Sequence, residues 1–142
     1  MGCGQTEMGA IIRDLARFRY ALRKFLRFSE DAAKQCGVTP QQHQLMLGVA
    51  GYAGGSATIS ELAEFLHERV HSVVGLVERA EQNGLVRTKR SNEDHRVVVV
   101  SLTRRGETTL SRVCRIHHEE VRRIEGFLGS GSGPSPSLGD WK

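Results

Sequence analysis

The sequence predicts a mainly α-helical fold with one small β-hairpin and a long helix at each end of the chain. Three observations lead there. Apolar residues recur at alternating steps of four and three near both termini. Two capping boxes mark helix starts in the middle of the chain. The period then changes to β-rich runs over residues 85–102. At 142 residues, with 25% charged and 39% hydrophobic side chains, the chain has the size of one domain. It is too short for a dinucleotide-binding dehydrogenase, a barrel enzyme or a kinase.

Residues 1–10 are expected to form a flexible N-terminus, and 11–36 the first helix. Its seam is Ile11, Leu15, Phe18, Leu22 and Phe25, a heptad-like pattern suited to packing along another helix. Gly37 ends it. Thr39-Pro40-Gln41-Gln42 opens a second helix, with Thr39 as cap, Pro40 at the first helical position and Gln42 closing the box. That helix continues through Leu45, Met46 and Val49 to the Gly54-Gly55 break. Thr58-Ile59-Ser60-Glu61 caps a short helix containing Leu62, Ala63, Phe65 and Leu66. A turn at His67 to Arg69 leads into a helix from Val70 to Gln82, striped by Val70, Val73, Leu76, Val77 and Ala80 and stopped by Asn83-Gly84. Leu85 to Lys89 and Val97 to Leu102 read as two strands around the polar turn Arg90 to Arg96. Thr103 caps the last helix, over 104–128, in which Leu110, Cys114, His117, Val121, Ile124 and Leu128 form a second seam. Residues 129–142 are rich in Gly, Ser and Pro, the composition of a disordered tail.

Lys and Arg number 20 against 16 acidic residues, a net charge of +4 that is unevenly placed. From Arg87 to Arg105 there are six basic residues (Arg87, Lys89, Arg90, Arg96, Arg104, Arg105) and two acids (Glu93, Asp94). A second basic group on the first helix, Arg13, Arg17, Arg19, Arg23, Lys24 and Arg27, has Asp14 as the single acid between Ile11 and Arg27. No apolar run is long enough to span a membrane, and the first ten residues lack a secretory pattern. Three widely spaced cysteines, Cys3, Cys36 and Cys114, do not make a disulfide framework. Together these features point to a cytoplasmic protein.

The element order over 37–103 is helix, short capped helix, turn, helix, hairpin: a helix-turn-helix followed by a wing. In such a unit the second helix of the pair enters the DNA major groove and the wing reaches the neighbouring minor groove or backbone. The basic cluster on the hairpin is what phosphate contact requires. The strings Glu61-Leu62-Ala63, Val77-Glu78-Arg79, Asn83-Gly84-Leu85-Val86, Asp94-His95-Arg96-Val97 and Ser101-Leu102-Thr103 with Gly106, in this order and spacing, resemble the MarR-type (multiple antibiotic resistance regulator) transcription factors over about Tyr20 to Cys114. The resemblance implies a homodimer built from the first and last helices, with Ile11, Leu15, Phe18, Leu22, Leu110, His117, Val121 and Ile124 at the interface. It implies binding to a pseudo-palindromic double-stranded operator, usually as a repressor that is released by a small aromatic or phenolic effector. By position, Arg69, His71, Ser72, Gly75 and Arg79 fall on the recognition helix. Arg87, Lys89, Arg90, Asp94, His95 and Arg96 fall on the wing, with Arg96 as the minor-groove residue held by Asp94. The family's effector pocket would involve Phe18, Tyr20, Phe25, Phe28, His43 and Met46. No cofactor, catalytic residue or resident metal is implied.

Competing patterns are present. His67-Glu68-Arg69-Val70-His71 matches the H-E-x-x-H motif of zinc proteases, but it straddles the turn between two helices. His117-His118-Glu119, with His43, suggests a metal-responsive regulator of the same fold, and Cys36 or Cys114, the latter expected to be buried, a redox-responsive one. Met1-Gly2-Cys3-Gly4-Gln5-Thr6 fits an N-myristoylation pattern, read here as a flexible terminus.

Overall fold

The computed structural model describes residues 3–127; the lipidation pattern's first two residues and the Gly/Ser/Pro tail lie outside it. Five α-helices and a small antiparallel sheet follow in the order α1 (Cys3–Gln35), α2 (Pro40–Gly51), β1 (Ser56–Thr58), α3 (Ile59–Leu66), α4 (Val70–Gln82), β2 (Val86–Arg90), β3 (Val98–Leu102) and α5 (Arg104–Phe127). A short 3₁₀ turn, Ala53–Gly55, joins α2 to β1.

Local signals place most of these boundaries. Thr39 and Thr58 both form complete capping boxes: Gln42 N and Glu61 N donate to the threonine hydroxyls at 3.1 Å, and the Gln42 and Glu61 side chains accept from the threonine amides. Each cap satisfies amides that would otherwise be orphaned at a helix start, worth about 1 kcal/mol. The α3–α4 turn closes on His67, in the left-handed region at φ 53° and ψ 42°; its amide donates back to Ala63 and Glu64.

The structure departs from the sequence expectations in three places. First, α1 begins at Cys3 rather than Ile11. Residues 3–10 contain no proline, so a helix already nucleated by the apolar seam can propagate through them despite the weak helix formers Gly4 and Gly9. Second, the wing belongs to a three-stranded sheet ordered β1-β3-β2. β1 pairs Ser56, Ala57 and Thr58 with Ser101, Val100 and Val99, while β2 runs from Val86 opposite Leu102 to Arg90 opposite Val98. A three-residue strand has no period of its own; the otherwise unpaired edge of β3 creates it. Third, Val113 rather than Cys114 joins Leu110 and His117 in the buried stripe of α5, and Cys114 is exposed. Steps of three and four are both helical, so periodicity leaves the choice to whatever the helix packs against.

The core lies where α2, α3, α4 and the sheet meet, around Leu45, Met46, Val49, Leu62, Val73, Val86 and Val100, none more than 1% exposed. Burying each such side chain is worth about 1.5–3 kcal/mol. The Tyr52 hydroxyl donates to the Glu61 carbonyl at 3.0 Å, tying the end of α2 to α3. The hairpin is anchored at its base: Thr103 donates from its amide to the Leu85 carbonyl and from its hydroxyl to the Gly84 carbonyl, while the Gly106 amide donates to the Thr103 hydroxyl. Gly106 is buried so closely against the Leu85 carbonyl that a Cβ there would overlap it.

Candidate nucleic-acid interface

Two adjacent surfaces carry the predicted DNA-binding residues. The first is the start of α4. Arg69 is its N-cap residue, and since a guanidinium has no acceptor the first amides of α4 go without a side-chain cap. Arg69, His71 and Ser72 are exposed, while Val73 and Val77 anchor the opposite face in the core. The unsatisfied amides and positive dipole end of this helix suit phosphate. Gly75 is half-buried, and the Arg79 guanidinium folds back over it, 3.4 Å from where a Cβ would stand. Arg79 and Ser72 also line a groove of about 310 Å³ facing Gln41 and Gln44 of α2. Arg79 thus shares this groove with Ser72, farther along α4 from Arg69 and His71.

The second surface is the wing. Asp94 grips Arg96 from both sides of its carboxylate: Oδ1 accepts from the Arg96 amide at 3.0 Å and from Nε at 3.1 Å, and Oδ2 accepts from Nη2 at 3.2 Å. The Arg96 side chain is still 91% exposed, a guanidinium held in one pose with most of its surface open. The hydrogen bonds from Arg96 hold the Asp94 carboxyl below its ordinary pKa, so the clamp stays charged well into the acidic range. Arg90 is also engaged, with Nη1 donating to the His95 carbonyl at 2.8 Å. Ser91 N to Val97 O and Val97 N to Asp94 O complete the loop. Arg87, Lys89 and His95 are exposed; Arg87 Nε lies 3.4 Å from the Ser101 hydroxyl across the strand pair.

One contact between these surfaces has no sequence signature. Glu81 Oε2, in the last turn of α4, accepts from both the amide and the hydroxyl of Thr88 on β2, at 2.9 and 2.8 Å. No spacing rule links a helix residue to a strand residue beyond a turn.

The six residues assigned to an effector pocket divide into three groups. Phe25, Phe28 and His43 gather around His117: the two phenyl rings meet its imidazole edge-on at 5.9 and 5.6 Å, and His43 stacks on it at 5.1 Å. Met46 is fully buried in the core beside this cluster's helix. Phe18 and Tyr20 lie on the exposed surface of α1, where the Tyr20 ring sits under the Lys24 ammonium. His117 is 8% exposed, with Nδ1 2.8 Å from the Val113 carbonyl and Nε2 buried without a partner. A carbonyl only accepts, so Nδ1 carries a proton toward Val113. Burial, and after it the neighbouring His117, pushes His43 down to about 4.

Of the expected interface residues, Leu110 and His117 are buried within the protomer. Ile11, Leu15, Phe18 and Val121 are exposed, and Leu22 is half-buried. The Ile124 side chain lies outside the described residues.

The competing motifs are separated by the fold. His67 closes α3 and His71 lies in the first turn of α4, so the two do not share a helix face. Stacked imidazoles aim their lone pairs in nearly parallel planes, which does not suit a shared ion for His43 and His117. Among the described residues no three His, Cys, Asp or Glu side chains gather in reach of one metal. Partial desolvation raises the Cys114 thiol above its ordinary pKa, away from the reactive thiolate. No described helix is long and apolar enough to cross a membrane.

Comparison with known proteins places this arrangement. The model of the MarR family matches residues 37–97. The HTH-type transcriptional repressor MdtR of Bacillus subtilis (strain 168) is 32% identical over 99 residues, covering 70% of this chain and 62% of that repressor. The chain therefore spans less than two thirds of that relative's length. Among solved structures, NadR in complex with 4-hydroxyphenylacetate is 28% identical with a TM-score of 0.67, covering 84% of this chain and 81% of NadR. AbsC, a MarR family transcriptional regulator from Streptomyces coelicolor, is similar in fold at a TM-score of 0.71 and 23% identity, over 89% of this chain and 82% of AbsC.

Proposed function

We propose that this chain is a winged helix-turn-helix regulator of the MarR family, which it resembles over residues 37–97, and that it represses transcription by binding a pseudo-palindromic operator as a cytoplasmic homodimer, acting by binding alone and without catalysis. The observation that carries the reading is the clamped Arg96: a bidentate carboxylate fixes the pose of a guanidinium that is otherwise open, at the tip of a basic wing beside the exposed start of α4. A surface arginine serving only solubility needs no such grip, whereas a side chain entering a narrow groove binds better when its rotamers are already restricted. Arg69, His71 and Ser72 would face base edges and phosphates in the major groove, with Arg87 and Lys89 on the backbone.

The dimer is supported by the apolar residues that α1 leaves in solvent, among them Met8, Ile11, Ile12, Leu15 and Phe18. An apolar stripe of that size on one helix is stable only when covered. A small aromatic effector is supported by the aromatic cluster at the junction of α1, α2 and α5, and by the 4-hydroxyphenylacetate found in NadR.

The test is DNA binding by fluorescence anisotropy on a duplex that the protein itself selects from a random-sequence library. Affinity should fall steeply with salt, and Arg96→Ala should weaken it by about 1–3 kcal/mol without loss of folding. Salt-independent binding, or an Arg96→Ala variant as tight as the parent, would reject the wing assignment. A monomer in light scattering at micromolar concentration would reject the dimer.

A further inference from the structure

Glu81 is an acid at the end of a helix whose other end is built for phosphate, and its carboxylate is spent on a single residue of the wing. Oε2 accepts from the Thr88 amide at 2.9 Å and from the Thr88 hydroxyl at 2.8 Å. β2 is an edge strand, because the sheet order is β1-β3-β2. The Thr88 amide points away from β3, toward Glu81, and without that acceptor would face solvent. Thr88 stands between Arg87 and Lys89, so the contact fixes the strand that carries the wing's basic side chains. Between α4 and β2 the chain is only Asn83-Gly84-Leu85, with Gly84 at φ 73°. The base of the hairpin is held by Thr103 and by the buried Leu85 and Val86, so what Glu81 restrains is the outer, exposed part of β2 from Arg87 to Arg90.

We infer that Glu81 is a positioning residue for DNA recognition: through Thr88 it sets the angle between the recognition helix and the wing, so that Arg96 reaches its groove while α4 is seated in its own. The inference rests on the DNA-binding reading given above. Two roles for Glu81 predict opposite signs. An acid that merely sits near DNA repels phosphate, and its removal tightens binding. An acid that aligns two contact surfaces weakens binding when removed, because the wing must then be ordered at the moment of association.

The experiment measures binding of the full chain to the library-selected duplex for the parent, Glu81→Ala, Glu81→Gln and Thr88→Ala, each also made in the Arg96→Ala background, with thermal melting recorded for all. Glu81→Ala and Thr88→Ala should weaken binding about three- to tenfold, the range of one or two hydrogen bonds. Glu81→Gln, which keeps an acceptor for the amide, should lose less than Glu81→Ala. In the Arg96→Ala background the same changes should cost clearly less than in the parent, since only Arg87 and Lys89 are then left for the contact to position. Tighter binding by Glu81→Ala overturns the inference. Equal losses in both backgrounds, tracking a fall in melting temperature, also overturn it and make the contact purely structural. If Glu81→Ala fails to fold, Thr88→Ala carries the test, because it removes the hydroxyl and the small γ-methyl of an exposed residue and leaves the strand amide in place. A parent protein that enriches no sequence from the library rejects the DNA-binding reading, and this inference with it; a parent that binds while Glu81 and Arg96 act independently rejects this inference alone.

Discussion

Acidification should cost this protein stability through one residue, His43. The imidazole is 3% exposed and stacks on His117, and burial, followed by the charge of His117, lowers its pKa from 6.5 to about 4. Below pH 6.5 the unfolded chain takes up a proton that the folded chain refuses until about pH 4. Stability that is complete above this window is therefore lost as pH falls through it, at up to about 1.4 kcal/mol per pH unit. Between about pH 7.5 and about pH 5 the loss from this residue comes to about 2 kcal/mol. Urea unfolding at the two pH values measures it. His43→Phe keeps a ring against His117 and binds no proton, so it isolates the effect from the carboxylates, which titrate alike in both proteins. The parent should lose about 2 kcal/mol more than His43→Phe over this interval. Parallel losses in the two proteins would show that His43 is freely protonated in the folded state, and that the cluster around His117 is open to water.

Three substitutions test the local arguments by the same unfolding measurement. Gly106→Ala should destabilise by about 2–3 kcal/mol, because the new Cβ meets the Leu85 carbonyl, which is fixed by Thr103 and cannot withdraw cheaply; a neutral result would mean that the base of the hairpin yields. His67→Gly should stabilise by up to about 1 kcal/mol by relieving a left-handed backbone at an exposed side chain, and a loss would reveal a contact of the imidazole. Thr58→Ala should cost about 1 kcal/mol by removing the hydroxyl that accepts from Glu61 N. An unchanged midpoint would indicate that Glu61 and β1 hold the start of α3 unaided.

Much of the helix-turn-helix was legible in the sequence because its signals are local. Thr39 with Gln42 and Thr58 with Glu61 are spaced to bond each other whatever lies elsewhere, and both boxes form. Val70 and Gln82 bound α4 as the stripe and the Asn83-Gly84 stop predict. The Asp94–Arg96 clamp is equally local, two residues apart on one loop. The effector-pocket residues were less legible. Phe18, Tyr20, Phe25 and Phe28 share one helix, yet only the last two reach His117, because the crossing of α1 with α5 selects which part of α1 is covered.

The sequence by itself determined the order of the helices and the hairpin and the capping boxes of α2 and α3, since hydrogen bonds between near neighbours and the period of apolar residues do not depend on the rest of the chain. The tertiary structure decided what long-range packing must arbitrate. It recruited Ser56–Thr58 as a third strand because the edge of β3 was free to pair. It turned Val113 inward in place of Cys114 because two helical spacings were equally good until α5 met its neighbours. It brought Glu81 to Thr88, joining the recognition helix to the wing across a turn that places no local constraint on that contact.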